Sequence, residues 1–170
     1  QPEKARQILQ AGVYRTLCEL FNTLPTYLSL CIQDPAAFRE TWRRIQALVD
    51  AFQVKTLHPT LLLSVYLGAA RGFLALGEED TALDLLEAYT DLATGDIYPL
   101  RLHGDAFFDQ LDRWMEDTLT LGRDLPRDEA LVRKSMTQAL TAHPAFAPLA
   151  DHFRFQALVG RLRANEEVAP

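Results

Sequence analysis

Apolar residues recur at helical spacing along most of the chain. In the stretch DPAAFRETWRRIQALVDAF, residues 34–52, the recurring apolar side chains are Phe38, Trp42, Ile45, Val49 and Phe52. Steps of four and three residues place them on one face of an α-helix. Asp34 and Pro35 precede the stripe as the N-cap and the first helical residue, which are positions that these residue types favour.

Proline and glycine divide the chain into further helical segments, because proline is common at the start of a helix and glycine at its end. We expect a helix from Pro2 to about Leu24, and a short helix between Pro25 and Asp34. We expect Pro59 to open a helix that Gly77 closes.

The second half of the chain follows the same pattern. Gly95 is expected to close the helix that follows Gly77, and Asp105 to start a helix that ends at Gly122. After Pro126 the spacing predicts a helix over 131–140 and a last short helix near 153–163. Strand signals are scarce, because Val and Ile are few and no segment alternates apolar and polar residues.

The spacing of small and large residues in the segment 63–96 resembles a tetratricopeptide repeat, a helical hairpin of about 34 residues. The matching positions carry Leu63, Tyr66, Ala69, Ala70, Phe73, Gly77, Ala82 and Leu86. Alanine at the crossing lets two helices approach closely, and glycine at the turn ends the first helix without Cβ strain. Tyr89 departs from the pattern, because the family prefers alanine there.

The segment HPAFAPLADHFRFQALVGRLR, residues 143–163, is similar to the closing segment of tetratricopeptide arrays in bacterial regulators. Its matching residues are Pro144, Phe146, Leu149, Arg154, Phe155 and Leu158. The four large apolar side chains are expected to cover the exposed face of the last hairpin, which is the role of a terminal cap.

These features predict an all-α chain in which residues 1–170 form a single domain of about seven to nine helices. Short connections favour antiparallel neighbours, stacked as helical hairpins in a tetratricopeptide-like superhelix or bundle. The longest connection without helical periodicity covers residues 95–105.

Composition is that of an ordinary globular domain, with 48% apolar and 24% charged residues. The longest apolar run, 61–77, contains Arg71 and is shorter than the roughly 20 residues of a membrane-spanning helix. We therefore expect a cytoplasmic protein with no membrane partner. Cys18 and Cys31 fit two buried thiols in a reducing compartment, with a disulfide as the alternative.

Charge is divided unevenly along the chain, whose formal net charge is −6. Residues 1–77 carry eight Lys or Arg and five Asp or Glu, whereas residues 78–170 carry nine and eighteen. The stretch 78–99 contains seven acids and no Lys or Arg. Such a surface repels a phosphate backbone, so we do not expect this half to contact nucleic acid directly.

The sequence carries none of the common catalytic or metal-binding motifs. It lacks a Walker loop, a G-x-S-x-G elbow and a G-x-G-x-x-G loop, and its histidines lack ligand spacing. We expect the histidines to cap helices or face solvent: His58, His103, His143 and His152. Gly68 and Gly72 are expected to serve helix packing. The predictions are therefore no enzymatic activity, no catalytic residue, no metal and no cofactor.

Candidate binding residues come from the tetratricopeptide resemblance. In such a hairpin the first helix lines the concave surface, and the alignment places Ser64, Leu67 and Arg71 on that side. Arg71 is the one charge in an apolar segment, and a guanidinium can hold a carboxylate through two parallel hydrogen bonds. The alternative is that Arg71 pairs with an acid of the next helix or extends to water.

Several motifs, among them GDAFFDQLDRWME and PAFAPLADHFRFQALV, resemble the region that follows a Cro-like DNA-binding domain in bacterial helix-turn-helix regulators. The resemblance implies a non-catalytic sensor or oligomerisation domain that dimerises or binds a peptide or small-molecule effector. It also implies that DNA is contacted only through a domain upstream of Gln1. The alternative is a stand-alone tetratricopeptide-like adaptor for a peptide or protein partner. A dimer favours the regulator and a monomer the adaptor.

Overall fold

Helices account for nearly all regular structure in the computed structural model, which describes residues 2–120 and 128–168. Within these ranges the prediction of an all-α fold is confirmed, and no extended strand occurs. The α-helices are α1 Pro2–Leu30, α2 Pro35–Ala51, α3 Val54–Leu57, α4 Pro59–Ala75, α5 Glu79–Ala93, α6 Leu111–Thr118, α7 Glu129–Thr141 and α8 Phe153–Glu166. Two 3-10 helices span Cys31–Gln33 and Pro144–Leu149.

Helices α4 and α5 form the antiparallel hairpin predicted for 63–96. Ala69 and Ala70 of α4 and Ala82 of α5 are completely buried, so the two helices pack with little side-chain volume between them. Leu86 is also completely buried. The small residues therefore set the distance between the two helices, and the large residue fills the core beside their crossing.

The turn between α4 and α5 is a Schellman motif centred on Gly77. Its φ angle is 77°, a left-handed conformation that side chains with a Cβ rarely adopt. The N–H of Gly77 donates to the carbonyl of Leu74 at 3.0 Å, and the N–H of Glu78 donates to that of Phe73 at 2.9 Å. These two bonds satisfy carbonyl groups that the end of α4 leaves free.

Helix α1 crosses α4 where Pro25 meets Gly68, and the predicted end of α1 near Leu24 is wrong. The helix continues through Pro25 to Leu30. A Cβ added to Gly68 would lie 3.1 Å from the Cβ of Pro25, so the proline ring packs into the space that the glycine leaves open. The next turn buries Leu28 completely. This packing offsets the helical hydrogen bond that proline cannot donate.

Helix α2 confirms the N-cap predicted at Asp34. The Asp34 carboxylate accepts from the backbone N–H groups of Ala36 at 3.0 Å and Ala37 at 3.2 Å. The aromatic stripe of α2 packs against α4: the rings of Phe38 and Trp42 meet Phe73 edge-on, at centroid distances of 5.0 and 6.2 Å.

Helix α6 begins six residues later than predicted. Asp105 accepts from the backbone N–H groups of Phe107 and Phe108, both at 2.8 Å, and so forms a turn instead of starting the helix. Phe108 is buried and Phe107 is exposed. The predicted helix end at Gly122 and the turn at Pro126 lie outside the described residues.

Three acids of α5 are paired with arginines of α8. Arg154 donates to Asp84 at 2.6 Å and to Glu87 at 3.1 Å, and Arg161 donates to Asp91 at 2.7 Å. Because these pairs are exposed, their contribution to stability is small. The paired acids belong to the stretch 78–99, which is predicted to repel nucleic acid. Their negative charges face the arginines of α8 in the same domain.

The predicted C-terminal cap forms a 3-10 helix followed by α8. Its four large apolar side chains are all buried: Phe146, Leu149, Phe155 and Leu158. Helix α8 packs against both α5 and α7, and the 3-10 helix packs against α4. None of the helices in the described ranges combines the length and the hydropathy that a membrane crossing requires.

Substitution of Gly72 by alanine is expected to destabilise the protein. A Cβ at Gly72 would overlap the buried ring of Phe38, and such overpacking costs about 1–3 kcal/mol. Gly160, inside α8, is the matched control, because its added Cβ would meet no atom within 4 Å. Gly160→Ala is expected to stabilise by about 0.5–1 kcal/mol. Urea unfolding measures both changes, and a Gly72→Ala variant as stable as the wild type would contradict the close crossing.

Candidate functional site

A groove runs along the face of α4 that α1, α2 and α5 leave uncovered. It consists of two adjoining cavities of about 670 and about 460 Å³, which share Ser64, Leu67 and Ala139 among their lining residues. We call these two cavities together the α4 groove. Volumes of this size are typical of sites for small molecules and short peptides.

The three binding residues predicted from the sequence lie together in the α4 groove. Ser64, Leu67 and Arg71 follow one another at steps of three and four residues, which places them on one face of α4. All three line the smaller cavity, and Ser64 and Leu67 also line the larger one. Ser64 is exposed, whereas Leu67 and Arg71 are half-buried. Their role in binding stays a prediction.

The opposite wall of the groove comes from parts of the chain that the sequence did not single out. Helix α7 contributes Val132, Met136 and Ala139, and the connection between α5 and α6 contributes Tyr98 and Leu100. No local pattern marks these residues as groove-lining, because they face α4 only through the tertiary arrangement.

Tyr98 attaches the connecting segment to α5 and α7. Its hydroxyl oxygen lies 3.0 Å from both the carbonyl oxygen of Ala93 and the Sδ atom of Met136. The guanidinium of Arg133 stacks on its ring, 3.7 Å from the ring centroid. Burial raises the pKa of Tyr98, so the hydroxyl keeps the proton that it donates. This wall of the groove is therefore fixed by hydrogen bonding and stacking.

Tyr89 lines the larger cavity of the groove and joins α5 to α7. Its hydroxyl donates to the carbonyl of Met136 at 2.9 Å, in surroundings that bury the ring almost completely. Burial also raises the pKa of Tyr89 well above its ordinary value. The residue that departs from the tetratricopeptide pattern thus connects the hairpin to the helix across the groove.

Arg71 and His143 meet at one end of the groove. The Nη1 atom of Arg71 lies 3.1 Å from the Nε2 atom of His143. Among the described residues, no carboxylate pairs with Arg71, so the alternative of an internal ion pair with α5 is not what the structure contains. The other ring nitrogen of His143 accepts from the N–H of Ala145 at 3.1 Å, which confirms the predicted capping role.

The serine hydroxyls of the groove are occupied by helix backbone. Ser64 donates to the carbonyl of Thr60 at 3.4 Å, and Ser135 donates to that of Val132 at 2.7 Å. Neither hydroxyl therefore donates to a base that could activate it as a nucleophile. Among the described residues, no three His, Cys, Asp or Glu side chains converge in a way that could hold a metal ion. The groove offers apolar side chains along both walls, Arg71 in the smaller cavity, and Arg101 and Glu129 in the larger one.

A third cavity, of about 530 Å³, lies outside the α4 groove, between the start of α4, the end of α5 and the connection 95–103. His58 lines it without the predicted capping bond: its ring stacks on Tyr14 and its Nδ1 atom lies 3.0 Å from Oγ1 of Thr60. Burial lowers the pKa of His58 below its ordinary value of 6.5, and His103 lowers it further. His58 is therefore held in its neutral form.

The stability of the protein is expected to decrease below about pH 6.5 in a manner that depends on His58. Because its pKa is lower in the folded state, the unfolded chain binds the proton more readily, and stability falls as pH drops from 6.5 towards the folded pKa. Urea unfolding of the wild type and His58→Gln at pH 7.5 and pH 5 measures this contribution. Parallel pH dependence in the two proteins would show that His58 contributes nothing to it.

Comparison of the chain with protein-family models, with curated proteins and with solved structures gives no match. The tetratricopeptide and regulator resemblances therefore rest on the residues quoted for them, and the function is argued from the surfaces of this structure.

Proposed function

We propose that this chain is a non-catalytic sensor and oligomerisation domain of a bacterial helix-turn-helix transcription regulator. In this proposal it binds a peptide or small-molecule effector in the α4 groove and pairs with a second copy through α1, in the cytoplasm. DNA is contacted only by another domain of the same protein. The observation that carries the proposal is an exposed apolar stripe on α1.

The stripe on α1 follows a heptad spacing, with steps of four and three residues. Its members are Leu9, Val13, Thr16, Leu20, Thr23, Tyr27 and Leu30, which we call the α1 seam. Its five large apolar side chains are 38–74% exposed. The seam lies about 100° around the helix from the buried stripe that includes Tyr14, Leu17 and Phe21, because each position is displaced by one residue.

The regular spacing of the α1 seam favours another α-helix with the same spacing as its partner, and a second copy of α1 is such a helix. Apolar residues at alternating steps of four and three form the contact line of a two-stranded coiled coil, where each helix presents the same residues to its partner. From Leu9 to Leu30 the seam is about 32 Å long. The α1 seam therefore supports the two-fold dimer that is expected of a regulator domain.

The α4 groove supports the binding half of the proposal, because apolar side chains such as Leu67 and Met136 lie beside polar and charged ones such as Arg71 and Glu129. It equally suits the second candidate, a stand-alone adaptor that binds a peptide or protein partner. The α1 seam distinguishes the two, since an adaptor has no need of a self-complementary helix face.

The protein is expected to be a dimer in light scattering over a tenfold concentration range. Replacing Leu9 and Val13 together by glutamate places like charges in the contact and is expected to give a monomer. The matched control replaces Leu131 and Val168 by glutamate, because both are as exposed as the seam residues but lie outside α1. The control is expected to remain dimeric, and circular dichroism checks that both variants are folded.

A wild-type protein that stays monomeric at the highest concentration would favour the adaptor. A dimer that both double variants leave intact would show that the α1 seam is not the contact.

A further inference from the structure

Arg71 and His143 present two hydrogen-bond donors to each other. The Nδ1 atom of His143 accepts from the N–H of Ala145, and a neutral imidazole that accepts at Nδ1 carries its proton on Nε2. Nε2 in turn lies 3.1 Å from Nη1 of Arg71. A guanidinium has only donors, so neither nitrogen can accept from the other.

Both donors belong to half-buried side chains that line the smaller cavity of the α4 groove. A half-buried charge is costly unless an acceptor of opposite charge compensates for it, and none of the carboxylates in the described ranges pairs with Arg71. One carboxylate placed against the pair could accept from the guanidinium with one oxygen and from Nε2–H with the other. Such charge-assisted bonds are the strong ones in protein recognition.

We propose that Arg71 and His143 bind the carboxylate of an acid whose apolar chain lies along the α4 groove. The inference rests on the proposed ligand-binding role of that groove and names the chemistry of the ligand. The carboxylate could be the C-terminus of an apolar peptide or the head of a fatty acid. Both present the same group to the donor pair and an apolar chain to the walls.

The groove has the length and the walls for such a chain. Its lining residues on α4 extend from Arg71 back to Thr60, eleven residues or about 16 Å along the helix. That distance accommodates about five residues of extended peptide. Leu67 and Ala139 line both cavities, and Leu63, Val132 and Met136 give the larger one an apolar wall, although Arg101 and Glu129 also line it.

The tautomer of His143 is the first test, because it needs no ligand. Long-range nitrogen–proton NMR correlation spectra of the neutral imidazole are expected to show the proton on Nε2. A proton on Nδ1 would make Nε2 an acceptor for Arg71, and that result would overturn the proposal.

Binding is tested by calorimetry with octanoate and octanamide, and with an apolar N-acetylated tetrapeptide carrying a free or an amidated C-terminus. The acid of at least one pair is expected to bind roughly ten- to a hundredfold more tightly than its amide, the range that loss of a charge-assisted bond gives. Arg71→Gln is expected to remove that preference. Arg44→Gln is the matched control and is expected to retain the preference, because Arg44 is exposed on α2 and lines neither cavity of the groove.

Preference for octanoate alone would identify a fatty acid, and preference for the free peptide alone would identify a C-terminus. Equal binding of acids and amides, no binding by any acid at millimolar concentration, or an unchanged preference in Arg71→Gln would overturn the proposal. Light scattering of Arg71→Gln is expected to match the wild type. A failed binding test would therefore not contradict the proposed self-association. A monomeric wild type would likewise not contradict the carboxylate site.

Discussion

The close packing of other helices against the small residues of α4 is the constraint on which the rest of the structure depends. Pro25 of α1 packs at Gly68, the ring of Phe38 in α2 packs at Gly72, and α5 packs along α4, in which Ala69 and Ala70 are completely buried. Each contact needs a position without a large side chain, because packed interiors tolerate little excess volume. With these sides of α4 covered, only the face of Ser64, Leu67 and Arg71 remains for a groove.

The width of that groove depends on how α7 is held opposite α4. Helix α7 is connected to the hairpin through the hydroxyl of Tyr89, which reaches the carbonyl of Met136, and through Tyr98, which reaches both α5 and α7. An alanine at position 89, as the tetratricopeptide pattern prefers, could not make this contact. The departure from the pattern therefore has a structural consequence: a long side chain fixes α7 at a distance that leaves an open apolar channel.

The features predicted correctly from the sequence are those that neighbouring residues determine. The cap at Asp34 and the turn at Gly77 depend on a few consecutive residues, and the hairpin of α4 and α5 depends on spacing within one segment. Of the two wrong boundaries, the one at Pro25 is decided by a distant contact and the one at Asp105 by a local turn. A proline that should end α1 is retained because Gly68 accommodates its ring, and an aspartate that should start α6 closes a turn instead.

The candidate site shows the same division. The tetratricopeptide alignment placed Ser64, Leu67 and Arg71 together on the concave side of α4. It could not show that α7 and Tyr98 form the facing wall, or that Arg71 meets His143 instead of an acid, because these residues are separated by many positions in the chain. The predicted capping role of His143 accounts for its Nδ1 atom, which accepts from the N–H of Ala145. The contact of its Nε2 atom with Arg71 could be seen only in the folded structure.

The two proposed surfaces share one helix, which has a thermodynamic consequence if both are functional. Pro25 of α1 lines the smaller cavity of the groove, and two and five residues later Tyr27 and Leu30 belong to the α1 seam. A ligand that changes the position of α1 at Pro25 also changes the geometry of the seam. Linkage then requires that dimerisation change the affinity of the groove by the same factor. A sensor domain needs such coupling, and an α1 that continues unbroken through Pro25 provides a direct physical connection for it.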